Sequence, residues 1–198
     1  SGTKVNLSRG LNVLNLSYGM YATAGYSAGQ IGWSAQEQSI ISYAQNGSAV
    51  VSKAAGNDAI AIGSSNAAGN VDYLNLALRG APAALYVGAL NTQGSTAAPA
   101  SLAAYSNRPG TDAVVQNQFV VVGVEGAKTG LYGTSFAAPI ITGYAAILGS
   151  KFTSANATQI TNQLLSTARQ DTVSNYNPAN HGRGEASLNR ALAPLSIR

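Results

Sequence analysis

Residues 133–148 constrain this chain more than any other stretch. Gly133-Thr134-Ser135-Phe136-Ala137-Ala138-Pro139 runs directly into Ile140-Ile141-Thr142-Gly143-Tyr144-Ala145-Ala146-Ile147-Leu148. An uncharged apolar run of this kind predicts a buried helix. Gly133 allows close backbone approach and either sign of φ, Ala137 and Ala138 leave room on one side, and Pro139 is expected within the first turn of a helix. The helix should therefore begin at about Thr134 or Ser135 and last to about Ser150. A serine there holds its oxygen at the positive end of the helix dipole, beside backbone N–H groups that lack intrahelical partners. Such a place suits an alkoxide or an oxyanion.

The rest of the chain reads as strands and helices in alternation. Leu11-Asn12-Val13-Leu14-Asn15-Leu16 predicts a strand that stops at Ser17-Tyr18-Gly19. Residues 21–32 are rich in Gly, Ser and Ala and read as loop. Ser34 and Glu37 have capping-box spacing, which predicts a helix to about Asn46 with Gly47 as its left-handed stop. Ala49-Val50-Val51-Ser52 is a short strand that leads into Lys53-Ala54-Ala55-Gly56-Asn57-Asp58, where a strand end opens onto a loop. From there to about Pro82 the chain reads as mostly loop. Residues 84–90 and 119–122 are further strands, and continuous apolar strands separated by a helix favour a parallel sheet buried on both faces. Asn156-Ala157-Thr158-Gln159 caps a later helix that places Ile160, Leu164, Leu165 and Ala168 on one face.

Composition narrows the function classes. The 198 residues suit one domain, 1–198, with a sizeable core. Only 9% are charged, and the net charge of +4 comes from 11 basic and 7 acidic residues with no basic run. Nucleic acid is not an expected partner, because phosphate binding needs clustered Lys and Arg. The absence of cysteine rules out disulfides, thiol catalysis and thiolate metal sites. No apolar run reaches the roughly 18 residues of a membrane span.

Three stretches together resemble the subtilisin-like serine peptidases. Gly133–Pro139 matches the nucleophile motif of that family, Ala54-Ala55-Gly56-Asn57-Asp58 the oxyanion-asparagine motif, and Val13-Leu14-Asn15-Leu16-Ser17-Tyr18-Gly19 the substrate-binding strand. Gly182–Leu192 resembles the segment that closes such catalytic domains, and Leu164-Leu165-Ser166-Thr167-Ala168 looks most like the subtilase passenger domains of Gram-negative autotransporters. The resemblance implies a three-layer α/β/α sandwich with a mostly parallel sheet, incomplete on its N-terminal side. It implies Ser135 as nucleophile, with the Asn57 side-chain amide and the Ser135 N–H as oxyanion donors. Ser17, Tyr18 and Gly19, with Ala54, Ala55 and Gly56, would form the two walls of the first specificity pocket. Their small side chains are expected to leave room for a large apolar P1 residue. Peptide or protein is the implied substrate, and the implied location is extracellular or at the cell surface.

One part of the family pattern is missing. A serine nucleophile of this kind needs a histidine base and an aspartate to orient it. The family carries both before the substrate-binding strand, and residues 1–10 hold neither type. The single histidine, His181, lies in a polar turn and reads as a structural residue. Lys53 reads as a strand-flanking lysine and not as the base of a Ser-Lys pair. Asp58, Asp72, Asp112 and Asp171 read as loop residues. The leading expectation is the C-terminal part of a peptidase domain, inactive alone. A pseudo-peptidase that binds peptide without turnover is the alternative, and a second chain that supplies the missing residues is a third arrangement. If the chain is only a fragment, an uncovered sheet edge and apolar surface predict self-association. No cofactor is expected; a structural calcium ion, which the family can carry, has little support from seven acidic residues.

Overall fold

In the computed structural model, which describes residues 2–197, four parallel strands form the central sheet: β1 (Val13–Leu16), β3 (Val50–Ala54), β5 (Ala84–Leu90) and β6 (Phe119–Gly123). They pair in the order β1-β3-β5-β6. The alternation of strand side chains divides the core in two. Val50, Leu85, Val87, Ala89, Val120 and Val122 face one side, whereas Val51, Ala84, Tyr86, Leu90 and Val121 face the other. Helix α1 (Ala35–Asn46) and short helix α2 (Tyr73–Leu78) cover the second side with Ile40, Ala44 and Leu78. Helices α5 (Thr134–Lys151), α6 (Ala157–Ser166) and α8 (Leu188–Leu192) cover the first. This is the three-layer α/β sandwich that the resemblance implied, with the parallel sheet buried on both faces that the continuous apolar strands predicted.

Local signals account for the helix ends. Ser34 accepts from the Glu37 N–H at 3.4 Å, and Gly47 ends α1 at φ 75°. Asn156 and Gln159 cap α6 reciprocally, each at 2.8 Å. In α5, Ile141, Ala145 and Leu148 are fully buried against the sheet, each of the larger two adding about 1.5–3 kcal/mol.

Several short elements differ from the sequence reading. Residues 21–32 contain β2 (Tyr21–Thr23) and a 3-10 turn (Ala28–Gln30). The stretch before Pro82 contains β4 (Asn70–Asp72) and α2. β2 and β4 form an antiparallel ribbon in which Tyr21 stands opposite Asp72. Helices α3 (Ala113–Asn117) and α4 (Gly126–Thr129) flank β6, and α7 (Pro178–His181) precedes the Gly182–Gly184 turn.

The parallel register sets Leu16 beside Lys53. The segments that follow β1 and β3 therefore leave the sheet side by side at its C-terminal end, where α/β sheets commonly bind ligands. The N-terminus of α5 meets them there.

Candidate active site

Gly133 enters α5 at φ 127° and ψ 151°, a backbone state that side-chain-bearing residues rarely adopt. It lets the chain turn against Asn57, whose amide nitrogen would stand 3.5 Å from a Cβ at this position. Thr134 is fully buried and organises the junction. Its hydroxyl accepts from Gly56 N at 3.0 Å and donates to Asn57 Oδ1 at 3.0 Å, while its own N–H donates to the same Oδ1 at 2.8 Å. Two donors on Oδ1 fix the orientation of the Asn57 amide. Its N–H₂ group is left to donate elsewhere.

Ser135 follows Thr134 as the second residue of the helix. Its hydroxyl donates to the Ser17 carbonyl at 3.0 Å, and its own carbonyl accepts from the Ser17 hydroxyl at 2.9 Å. The second bond depends on Pro139. That residue lies inside the helix and not in its first turn, contrary to the sequence reading. Having no N–H, it cannot satisfy the carbonyl four residues back, which is that of Ser135. Ser17 takes that acceptor. Asn15 in turn donates to Ser17 Oγ at 2.8 Å and accepts from Thr142 Oγ1 at 3.0 Å, so the end of β1 is tied to α5 at several points.

The loop after β3 is strapped from behind by Asn107, a buried residue that the sequence reading missed. Its Oδ1 accepts from Asp58 N and Ile60 N at 3.0 and 3.2 Å, and its Nδ2 donates to the Ala55 carbonyl at 3.0 Å. Gly56, at φ 113°, passes so close that a Cβ there would lie 2.3 Å from Asn107 Nδ2. Nothing local marks Asn107, which acts across a sequence separation of 52 residues.

These segments enclose a cavity of about 190 Å³ beside Ser135. Ser17, Tyr18, Gly19, Ala54 and Gly56 line it as expected, together with Asn57 and Thr134. Ala55 does not; it is fully buried and bonds to Val87 of β5. Tyr21 and Lys53 line the cavity unexpectedly. Lys53 is no strand flank but a fully buried member of β3, with Nζ 2.8 Å from Asp72 Oδ2 and 2.6 Å from the Ala54 carbonyl. Asp72 is likewise not a loop residue. It ends β4, caps α2 through Leu74 N at 3.1 Å and accepts from Met20 N at 3.0 Å. Burial pushes the Lys53 amine below the usual lysine range, against the opposing pull of Asp72. Partial burial, with Asp72 and Asp58 nearby, pushes the Tyr21 hydroxyl up to about 12.

The two residues weighed and set aside as a base, His181 and Lys53, make no hydrogen bond to Ser135. His181 is buried far along the chain, its Nδ1 accepting from Asn177 N at 3.0 Å and its ring stacked on Tyr176 with centroids 5.9 Å apart. It lines no part of the cavity beside Ser135. Lys53 gives its hydrogen bonds to Asp72 and Ala54, not to Ser135. Among the described residues no group of acidic or histidine side chains could hold a metal ion, and no helix is long and apolar enough to cross a membrane.

A family model described as the subtilase family (Peptidase_S8) matches residues 4–186. The chain belongs to the subtilase family. Solved structures with the same fold include the prenylagaramide maturation protease PagA, at 22% identity and a TM-score of 0.61 over 91% of this chain and 60% of that one. The patellamide maturation protease PatA gives 24% and 0.61 over 91% and 61%. A cold-adapted subtilisin-like serine proteinase gives 21% and 0.53 over 90% and 54%. This subtilase chain thus spans about three-fifths of the length of the first two and just over half of the third. Comparison with curated proteins gave no match.

Proposed function

We propose that residues 1–198 are a single domain, the C-terminal portion of a subtilisin-like serine endopeptidase domain, in which Ser135 is the nucleophile. The observation that carries this reading is the Thr134–Asn57 pair of bonds. It fixes the Asn57 amide at the N-terminus of α5 and leaves its N–H₂ without a partner among the described residues, which suits it to hold a tetrahedral oxyanion together with the Ser135 N–H. The end of β1 at Ser17–Gly19 offers backbone for an added substrate strand.

In this reading Ser135 releases its bond to the Ser17 carbonyl when a base approaches, attacks the peptide carbonyl, and the oxyanion passes to Asn57 Nδ2 and Ser135 N. The base and its aspartate come from residues outside this chain, either an upstream segment or a second chain. Without them the chain does not turn over peptides at an enzymatic rate, since a nucleophile without its base keeps only a small remnant of catalysis. The family supports a secreted or cell-surface setting, and the Leu164–Ala168 run supports a relation to autotransporter subtilases.

The test compares the chain alone with the chain joined to its upstream coding segment, using a fluorophosphonate probe. Labelling of Ser135 in the joined form only is expected. Strong labelling of the isolated chain would sink the claim of a missing base. A second reading, a peptide-binding pseudo-peptidase, is favoured by the closed pair of Ser17–Ser135 bonds, which uses the serine structurally. It predicts peptide binding with no labelling in either form.

A further inference from the structure

The cavity beside Ser135 has a charged pair beneath it where an apolar floor was expected. Lys53 is 1% exposed and Asp72 5%, so neither is a surface residue that happens to lie near the groove. Gly19 passes directly over them; a Cβ there would lie 2.4 Å from Asp72 Oδ2 and 2.7 Å from the Tyr21 ring. The pair is therefore built into the wall formed by Ser17–Gly19.

The hydrogen-bond inventory of the pair is uneven. Asp72 accepts three bonds: Oδ1 from Met20 N and Leu74 N, and Oδ2 from Lys53. Lys53 has three hydrogens and two acceptors, the Ala54 carbonyl and Asp72. Among the described residues its third hydrogen has no acceptor. The Tyr21 hydroxyl, which borders the same cavity 3.3 Å from where a Gly56 Cβ would stand, also has no partner among them. It stays protonated, being pushed up to about 12 by partial burial and by Asp72 and Asp58. No carboxylate lines the cavity, which thus presents spare donors and no charged acceptor.

From this we infer that the pocket selects a P1 side chain ending in an uncharged carbonyl oxygen, glutamine above all, which accepts from Lys53 Nζ and the Tyr21 hydroxyl. The inference rests on the reading of Ser17–Gly19 and Ala54–Gly56 as walls of a peptide groove. An apolar P1 residue would leave the third Lys53 hydrogen buried and unpartnered, and a site built to hydrogen-bond its ligand rejects the analogue that lacks the group. A cationic residue would face Lys53, with no carboxylate lining the cavity. A carboxylate would enter a region where Glu37, Asp58 and Asp72 all act on the two tyrosine hydroxyls, against a single ammonium. Lys53 lines the cavity with its side chain almost wholly buried, so the carbonyl has to be carried on a side chain long enough to reach it, as glutamine is.

The experiment is calorimetric binding of amidated tetrapeptides that differ only in the last residue, Gln, Leu, Phe or Glu, to the chain and to two variants. The Gln peptide should bind about tenfold more tightly than the Leu or Phe peptide, as expected for one buried donor left unsatisfied, and no more weakly than the Glu peptide. K53M/D72N removes both charges while keeping the carbonyl that Met20 N and Leu74 N need, and the Gln advantage should fall below about threefold. Y21F, which loses one hydroxyl from a half-exposed ring, should reduce it by a smaller factor. Equal or tighter binding of Leu or Phe by the parent chain would overturn the inference while leaving the groove reading intact. An unchanged Gln preference in both variants would also overturn it. Failure of all four peptides to bind would overturn the groove reading and this inference with it.

Discussion

Replacing Thr134 by valine tests the candidate site at the point where sequence, fold and chemistry meet. The substitution keeps shape and volume in a side chain that is fully buried and removes only the hydroxyl. Two bonds depend on that oxygen: acceptance from Gly56 N and donation to Asn57 Oδ1, both at 3.0 Å. Gly56 N would be left buried without an acceptor, at a cost of about 1–3 kcal/mol. Asn57 Oδ1 would keep the Thr134 N–H and lose one ordinary bond, about 1 kcal/mol. The extra buried methyl returns somewhat less than 1 kcal/mol. The net loss should be about 1–3 kcal/mol. With a urea slope of about 2 kcal/mol/M, the unfolding midpoint should fall by about 0.5–1.5 M with the slope unchanged. T134S, which keeps the hydroxyl, should lose about 1 kcal/mol or less. The bonding scheme is refuted if T134V unfolds at the parent midpoint, or if T134S falls as far as T134V.

Other consequences follow from the same geometry. In the enzyme joined to its base-bearing segment, N57A should lower kcat by about 10²–10³ with a small change in KM; equal losses in KM and none in kcat would remove Asn57 from the oxyanion role. G133A should destabilise the chain by about 1–3 kcal/mol, because alanine is strained at φ 127°; a melting temperature unchanged within error would contradict the backbone described. S17A and P139A should be coupled by 0.5 kcal/mol or more in a double-mutant cycle. Alanine at 139 restores the N–H that the Ser135 carbonyl lacks, so the Ser17 hydroxyl then matters less; simple additivity would disprove that exchange. The Glu185 carboxyl is pushed above its ordinary value of 4.5 mainly by burial, and its Oε1 has no partner among the described residues. A folded-state value above the unfolded one adds stability below the unfolded value, and that stability disappears as pH rises through the folded value. E185Q should therefore be more stable than the parent at pH 7 and lose this advantage near pH 4; denaturation curves that keep the gap at both pH values would refute it.

What could be read from the sequence was what is encoded locally. Helix α1 between Ser34 and Gly47, the Asn156–Gln159 cap of α6 and the strand Ala84–Leu90 all stand at the predicted places, because cap, stop and apolar run lie within a few residues of each other. The three segments that converge at the candidate site were also legible, through the resemblance of their motifs. What escaped depends on distant partners. β2 is three residues long and exposed, and it exists only against β4, with Tyr21 opposite Asp72. Asp72 looked like a loop residue because the features that define it, Lys53 and the start of α2, were themselves misread. Lys53 looked like a strand flank because charged residues are seldom buried without a partner, and its partner lies 19 residues away. Ala55 was assigned to a pocket wall by motif alone, whereas strand alternation sends it into the core beside Leu16 and Val51.

Pro139 shows how a local rule can fail for a reason that bears on the site. Proline in a helix interior removes a bond and usually costs about 3 kcal/mol, which is why the sequence reading put Pro139 in the first turn although it placed the helix start correctly at about Thr134. Here the carbonyl it abandons belongs to Ser135, and the Ser17 hydroxyl occupies that carbonyl from the end of β1. The opposite face of the same contact is the Ser135 hydroxyl on the Ser17 carbonyl. The defect in the helix ladder is thereby converted into a two-point clamp between the nucleophile candidate and the wall of the groove. It positions the serine without drawing on the Asn57 amide nitrogen or the Ser135 N–H. Among the described residues both donors that an oxyanion would need remain uncommitted, while the Thr134 and Asn107 side chains are spent on holding the backbone that carries them.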